Sequence, residues 1–420
     1  MLRIYVILAL AAVWAATAAA DSADDTANGI AVPIVGGTVK LDMRARYEHA
    51  DADGFAPSNA ATLRTRLGYA TQPWEGLSAY GELENIAAAD KDAYYDGIPL
   101  NTRDRTTIAD PVDTEVNQAY LQFDRPDWLG TLVKGGRQRI VLDDQRFIGN
   151  VGWRQNEQTY DGGWAQTSFG LERLTVGYGY LAVVHRIYGD RGSTPTTRDW
   201  DSNSHLARVA VDVAPWFQPV AFAYLLDLRH APTDSSNNSY GVRATGTAAI
   251  AEDWALTYQA SYAYQIDGGH GRGTNPVDYH AHYAFGDLAI GYRPIGAVGG
   301  GYELLGSDDG RARFITPLAT LHKWNGWADV FLNNGGPNGL QDAYAYVSPA
   351  LPFKMIGQVI YHQFWSHERG HQMGREVDGV LSRKFGAYLT VLSKVAWYDD
   401  GGRFSPRDTT KYWVETTVAF

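Results

Sequence analysis

Four arginines fall within GGRQRIVLDDQRFIGNVGWRQNEQTYDG, residues 135–162: Arg137, Arg139, Arg146 and Arg154. Two more Arg-x-Arg pairs occur upstream, Arg44/Arg46 and Arg64/Arg66. A guanidinium group offers a planar fork of donors to carboxylates and stays charged at any relevant pH. Spacing of two puts both members of a pair on one face of a strand. In an otherwise acidic chain of net charge -11, such pairs suit either an anion-binding wall or a charge-balanced scaffold. Net acidity argues against a nucleic-acid partner. Other reactive-looking patterns are weaker. HERGH (367–371) matches the H-E-x-x-H zinc pattern, which needs a helix, but it lies between strands and contains Gly370. His362, His371 and HAH (280–282) could meet a metal only loosely, SDDG (307–310) reads as a turn, and no phosphate loop or nucleophile elbow is present. No catalytic residue, metal or cofactor is expected.

The elements that would hold the arginines are strands. LTYQASYAY (256–264), LARVAVDV (206–213) and VKLDMRARYE (39–48) alternate apolar and polar residues with period two. Strand starts are expected near residues 39, 61, 77, 114, 130, 158, 171, 202, 218, 238, 253, 278, 297, 341, 354, 374, 387 and 409. An even count near eighteen fits a bacterial outer-membrane barrel. Glycine blurs the pattern between Asp278 and Gly306.

The connections sort into two kinds. Even-to-odd links are short and carry aromatics such as Trp74, Trp128, Phe169, Trp216, Trp254, Phe353 and Phe385. Odd-to-even links, roughly 89–113, 142–157, 188–201, 268–277, 307–340 and 400–408, are mostly longer and polar. Short periplasmic turns, long external loops and an aromatic girdle are barrel properties. Residues 1–20 read as a signal peptide, with Arg3, an apolar run and Ala18-Ala19-Ala20. Residues 21–38 are a lead-in and 39–420 one all-β transmembrane antiparallel barrel in the outer membrane. The chain has no cysteine, hence no disulfide framework. KYWVETTVAF is an amphipathic last strand with a terminal aromatic, the kind of signal the barrel assembly machinery reads.

In lipid, polar residues must face the lumen. That places Arg44 and Arg46 inside on the first strand, and Arg64 and Arg66 on the second. Glu82 and Glu84 follow on the third, and Gln118, Tyr120 and Gln122 on the fourth. Arg137 and Arg139 share parity with Val133, so a bulge at Gly135-Gly136 is expected to turn them inward. The inner face is then either a solvated, balanced scaffold or an anion-selective ring.

LRTRLGY (63–69), TEVNQAYL (114–121), GRQRI (136–140), DDQRFIGNVGWRQNEQTYDG (143–162), DSNSHLA (201–207), GYELLGSDDG (301–310) and TPLATLHKWNGWADVF (316–331) together resemble the alginate export family. The resemblance implies an eighteen-stranded barrel with a cationic lumen for an anionic polysaccharide. Arg64, Arg66, Arg137, Arg139 and Arg154 match its motifs. Two functions follow as expectations: a passive channel for anionic solutes such as acidic sugars, and export of alginate or a similar polymer within a secretion complex. A barrel hydrolase and a soluble β-protein are the other classes weighed. Membrane lipid, lipopolysaccharide and an anionic carbohydrate are the expected partners.

Overall fold

The computed structural model describes residues 36–98, 104–169, 173–189, 198–232, 235–268 and 277–420. The expected signal peptide, residues 1–20, lies outside them. The barrel opens with β1 (Thr38–Ala52), β2 (Ser58–Ala70), β3 (Leu77–Ala88), β4 (Asp113–Arg125), β5 (Thr131–Gln138) and β6 (Thr159–Phe169). It continues through β7 (Leu174–His185), β8 (Asp199–Val211), β9 (Gln218–Leu226), β10 (Asn237–Ala251), β11 (Trp254–Asp267), β12 (His280–Tyr292) and β13 (Gly296–Leu305). A small ribbon, β14 (Ser307–Asp308) and β15 (Ala312–Arg313), precedes β16 (Leu340–Pro349), β17 (Ile356–Trp365), β18 (Gln372–Phe385), β19 (Leu389–Asp399) and β20 (Thr409–Ala419). Apart from the ribbon, each strand pairs antiparallel with the next, and β20 pairs with β1 to close an 18-stranded sheet. The largest offsets from the expected starts are three residues: 61 against Ser58, 171 against Leu174 and 202 against Asp199.

Alternation decides which face is wet. Leu63, Leu67, Leu83, Val116, Leu121 and Val347 are exposed on the outside. Arg64, Arg66, Glu82, Glu84 and Asp342, on the opposite face of the same strands, are buried within. Trp74, Trp128, Trp216 and Phe353 mark the short-turn rim, while Tyr47 and Tyr412 meet on the outside near the other. Closure leaves no unpaired sheet edge, which the hydrocarbon would penalise. Leu83 sits mid-strand between Leu67 and Val116 on the outer face. Leu83→Arg is expected to destabilise the barrel by roughly 2–4 kcal/mol, read from denaturant unfolding in vesicles. A loss below 0.5 kcal/mol, on the order of an ordinary surface change, would place Leu83 outside the hydrocarbon.

Candidate functional site: a loop-filled lumen

Two long links do not stay outside. The β5–β6 link (139–158) and the β13–β16 link (306–339) fold into the bore and pack on each other. Ile148 bridges Leu318, and Gly149 N donates to Leu318 O at 2.9 Å. Val151 N donates to Thr320 Oγ1 at 3.0 Å. Phe147 packs against Phe222, Tyr283 and Phe314, so the links bury an apolar core inside the barrel.

The wall arginines are the anchors of this plug. Arg44 donates to Gly152 O at 3.0 Å, to Gln155 Oε1 at 2.9 Å and to Arg154 O. Arg46 pairs with Glu415 at 2.6 Å and lies 4.2 Å from the Trp153 ring centre. Arg64 pairs with Asp42, and Arg66 with Glu84 and, at 3.2 Å, with Glu157. Arg139 joins Glu157 and, at 2.9 Å, Glu82. Gln118 donates to Glu82 at 3.2 Å. Tyr120 and Gln122 line the wall nearer the short turns, Tyr120 against Tyr80. Arg154 of the link reaches Glu48 at 3.2 Å and Asp329 of the other link at 2.8 Å. Arg44, Arg46, Arg64, Arg66, Arg139 and Arg154 thus lie inside the barrel, each within reach of at least one carboxylate.

Arg137 departs from expectation. The β4–β5 and β5–β6 ladders run without a register break, so no bulge forms at the glycine pair. Gly136 instead takes φ +126, where an added Cβ would lie 2.4 Å from Ala119 O. Arg137 keeps the parity of Val133, opposite Ala119 and Asp161, and pairs with Asp161 at 2.9 Å on the outer face. Arg139 escapes that parity because the ladder ends at Gln138 and the chain then turns inward.

Further side chains complete the wall. Asp42 and Glu48 share the parity of Arg44, and Lys411 and Glu415 share one face of β20, so alternation alone marks them as inward. The centre of the plug has no such signal. His322 Nδ1 donates to Asp329 at 2.7 Å, and Lys394 Nζ donates to His322 Nε2 at 2.9 Å. Trp153 stacks on His322 at 4.5 Å, and Lys394 lies 3.6 Å from the Trp327 ring centre. Lys411 meets Asp329 at 3.0 Å. The HERGH stretch forms a turn between β17 and β18. His367 accepts from Ser307 N, while His371 stacks on Phe404, so the two imidazoles serve different neighbours.

Burial pushes the His322 imidazole well below its ordinary value of 6.5, beside Lys394. Burial would raise Asp329, but His322, Lys411 and Arg154 hold it well below the carboxylate range. Burial likewise opposes ionised Glu157, yet Arg139 and Arg66 bring it down to about 2. In each case the folded plug binds fewer protons than the released loop, so its stability is full at high pH and falls on acidification. The loss begins near 6.5 with His322 and deepens below 4.5 and 3.8 as Glu157 and Asp329 come into play. Open-channel current is therefore expected to grow noisier between pH 7.5 and 5, and His322→Gln to remove that first step. A flat profile would contradict it.

A closed barrel with an apolar belt, a polar lumen and inward loops is the architecture of an outer-membrane porin. The chain belongs to the alginate export family, whose model matches residues 37–294. The fold is similar to OccAB3 of Acinetobacter baumannii: TM-score 0.71, 12% identity, 92% of this chain and 100% of that one. OccAB4 of the same organism gives TM-score 0.67 and 13% identity over 91% and 98%. OpdK of Pseudomonas aeruginosa, solved with vanillate, gives 0.66 and 14% over 91% and 99%. Curated proteins gave no match.

Proposed function

We propose that the channel conducts small anionic solutes, acidic sugars or short oligosaccharides, and does not thread a polymer. One observation carries the reading. Arg44 and Arg64 are direct ladder partners on the inner wall, an arrangement that like charges oppose. Asp42 is the carboxylate bonded to Arg64, and Glu415 stands 3.8 Å from Arg44. Arg64 Nε is a buried donor with no hydrogen-bond partner among the described residues. Both arginines are buried beneath the first link, so they act on a passing carboxylate through their field, while the surrounding acids keep it from being held. The filled bore supports small cargo.

Planar-bilayer reversal potentials under a salt gradient test this. Wild type is expected to favour anions, and Arg44→Gln with Arg64→Gln to cut the anion-to-cation ratio at least threefold. Cation preference in the wild type would end the proposal. The second reading, export of alginate or a similar polymer, draws on the family match. It requires both inward links to leave the bore. The amphipathic final strand supports recognition by the barrel assembly machinery, and the apolar belt supports contact with lipid and lipopolysaccharide.

A further inference from the structure

A cavity of about 240 Å³ lies across the bore from the arginine wall. It is bounded by β12, β13, β16, β17 and the Lys323–Trp327 stretch of the second inward link. Tyr346 and Gln358 place it toward the short-turn rim. The volume falls below the roughly 300–1,000 Å³ of drug-sized pockets, which suits one small ring. We infer that this cavity is a subsite for a single sugar ring: an aromatic ledge for its C–H face and fixed carboxylates for its hydroxyls. The inference rests on the channel reading but not on anion preference.

The ledge comes from Tyr344 and Tyr346, two residues apart on the inner face of β16. Their rings lie 19° from parallel with centres 6.3 Å apart. Trp324 and Trp327 enter from the link, and Phe285 meets Trp324 edge-on at 5.5 Å. A pyranose presents an apolar face of C–H groups and an equatorial rim of hydroxyls, so it needs both surfaces at once. The rim partners are Asp287, Glu303 and Asp342.

Their existing bonds decide between a hydroxylated and a cationic ligand. Glu303 already accepts Arg146 Nε at 2.6 Å, and Asp342 meets His362 Nδ1 at 2.9 Å. Asn325 Nδ2 donates to Glu303 at 2.6 Å and lies 3.3 Å from Asp342. Asp287 accepts the Tyr344 and Tyr346 hydroxyls at 2.7 and 3.1 Å. Two carboxylates thus have cationic or imidazole partners, and all three are held in place. Each carboxylate can accept about four bonds, so capacity for hydroxyl donors remains. Trp324 Nε1 is a buried donor with no hydrogen-bond partner among the described residues. No cluster of metal-binding type occurs among the described residues.

The test is single-channel recording with glucose, glucuronate or 1,4-diaminobutane added at the short-turn side. Glucose is expected to interrupt the current. Trp324→Leu should shorten the interruptions at least fivefold, and the milder Tyr346→Phe and Gln358→Ala should each shorten them measurably. Heat-modifiable migration confirms that each variant is folded. Absence of glucose interruptions, or interruptions insensitive to all three variants, would overturn the subsite. Interruption by the diamine alone would overturn it in favour of a cation site. Reversal potentials from the same channels report anion preference separately, so either idea can fail without the other.

Discussion

Arg154→Ala is expected to open the channel. Arg154 ties the first inward link by ion pairs both to the β1 wall, through Glu48, and to the second link, through Asp329. Both carboxylates are buried. Removing one partner of a buried pair leaves an uncompensated charge and costs about 3–5 kcal/mol. Lys411 stays on Asp329 and softens the loss there, but no second cation is bonded to Glu48 among the described residues. The population with the plug released should rise by about two to four powers of ten. Single-channel conductance is expected to increase several-fold, and trypsin should gain access to Arg139 and Arg146. Arg154→Lys should restore part of the closure. Wild-type conductance in Arg154→Ala would show that the apolar contacts of Phe147 and Ile148 hold the plug unaided.

An all-or-none result is expected from Ile148→Cys with Leu318→Cys. These two residues form a bridge between the links. Neighbouring backbones of this kind fall within disulfide reach. The native chain has no cysteine, so the new bond has no competitor. For a small-solute channel, oxidation should leave glucuronate flux into proteoliposomes within twofold of the reduced value. A polymer exporter would lose translocation entirely on oxidation and regain it with a reductant. Loss of glucuronate flux on oxidation would mean that the plug must move for every solute, contrary to a fixed narrow bore.

The wall was legible because period two is a local signal. Each strand start followed from alternation, and so did the inward placement of Arg44, Arg46, Arg64, Arg66, Glu82 and Glu84. Arg137 shows the limit of that signal. A glycine pair is compatible with a bulge or with an unbroken ladder, and only the partner strands decide. The plug was illegible for a different reason. Residues 142–157 and 307–340 stood out as long polar links, but nothing periodic tells a link to turn inward. Its bonds join distant positions: Arg154 to Glu48, and Trp153 to His322. These contacts exist only once the cylinder encloses them.

The seam where the first strand meets the last has a further consequence for assembly. Glu415 holds Arg46 across it, and Leu41 and Phe420 exchange backbone bonds at 2.7 and 2.9 Å. From inside, Trp153 packs on Trp413, while Arg154 reaches Glu48 on one side and, through Asp329, Lys411 on the other. The interior links therefore staple the joint between the first and last strands from within. Releasing the first link would strip this joint of its Trp153 and Arg154 contacts, so closing the cylinder and filling it draw on the same side chains.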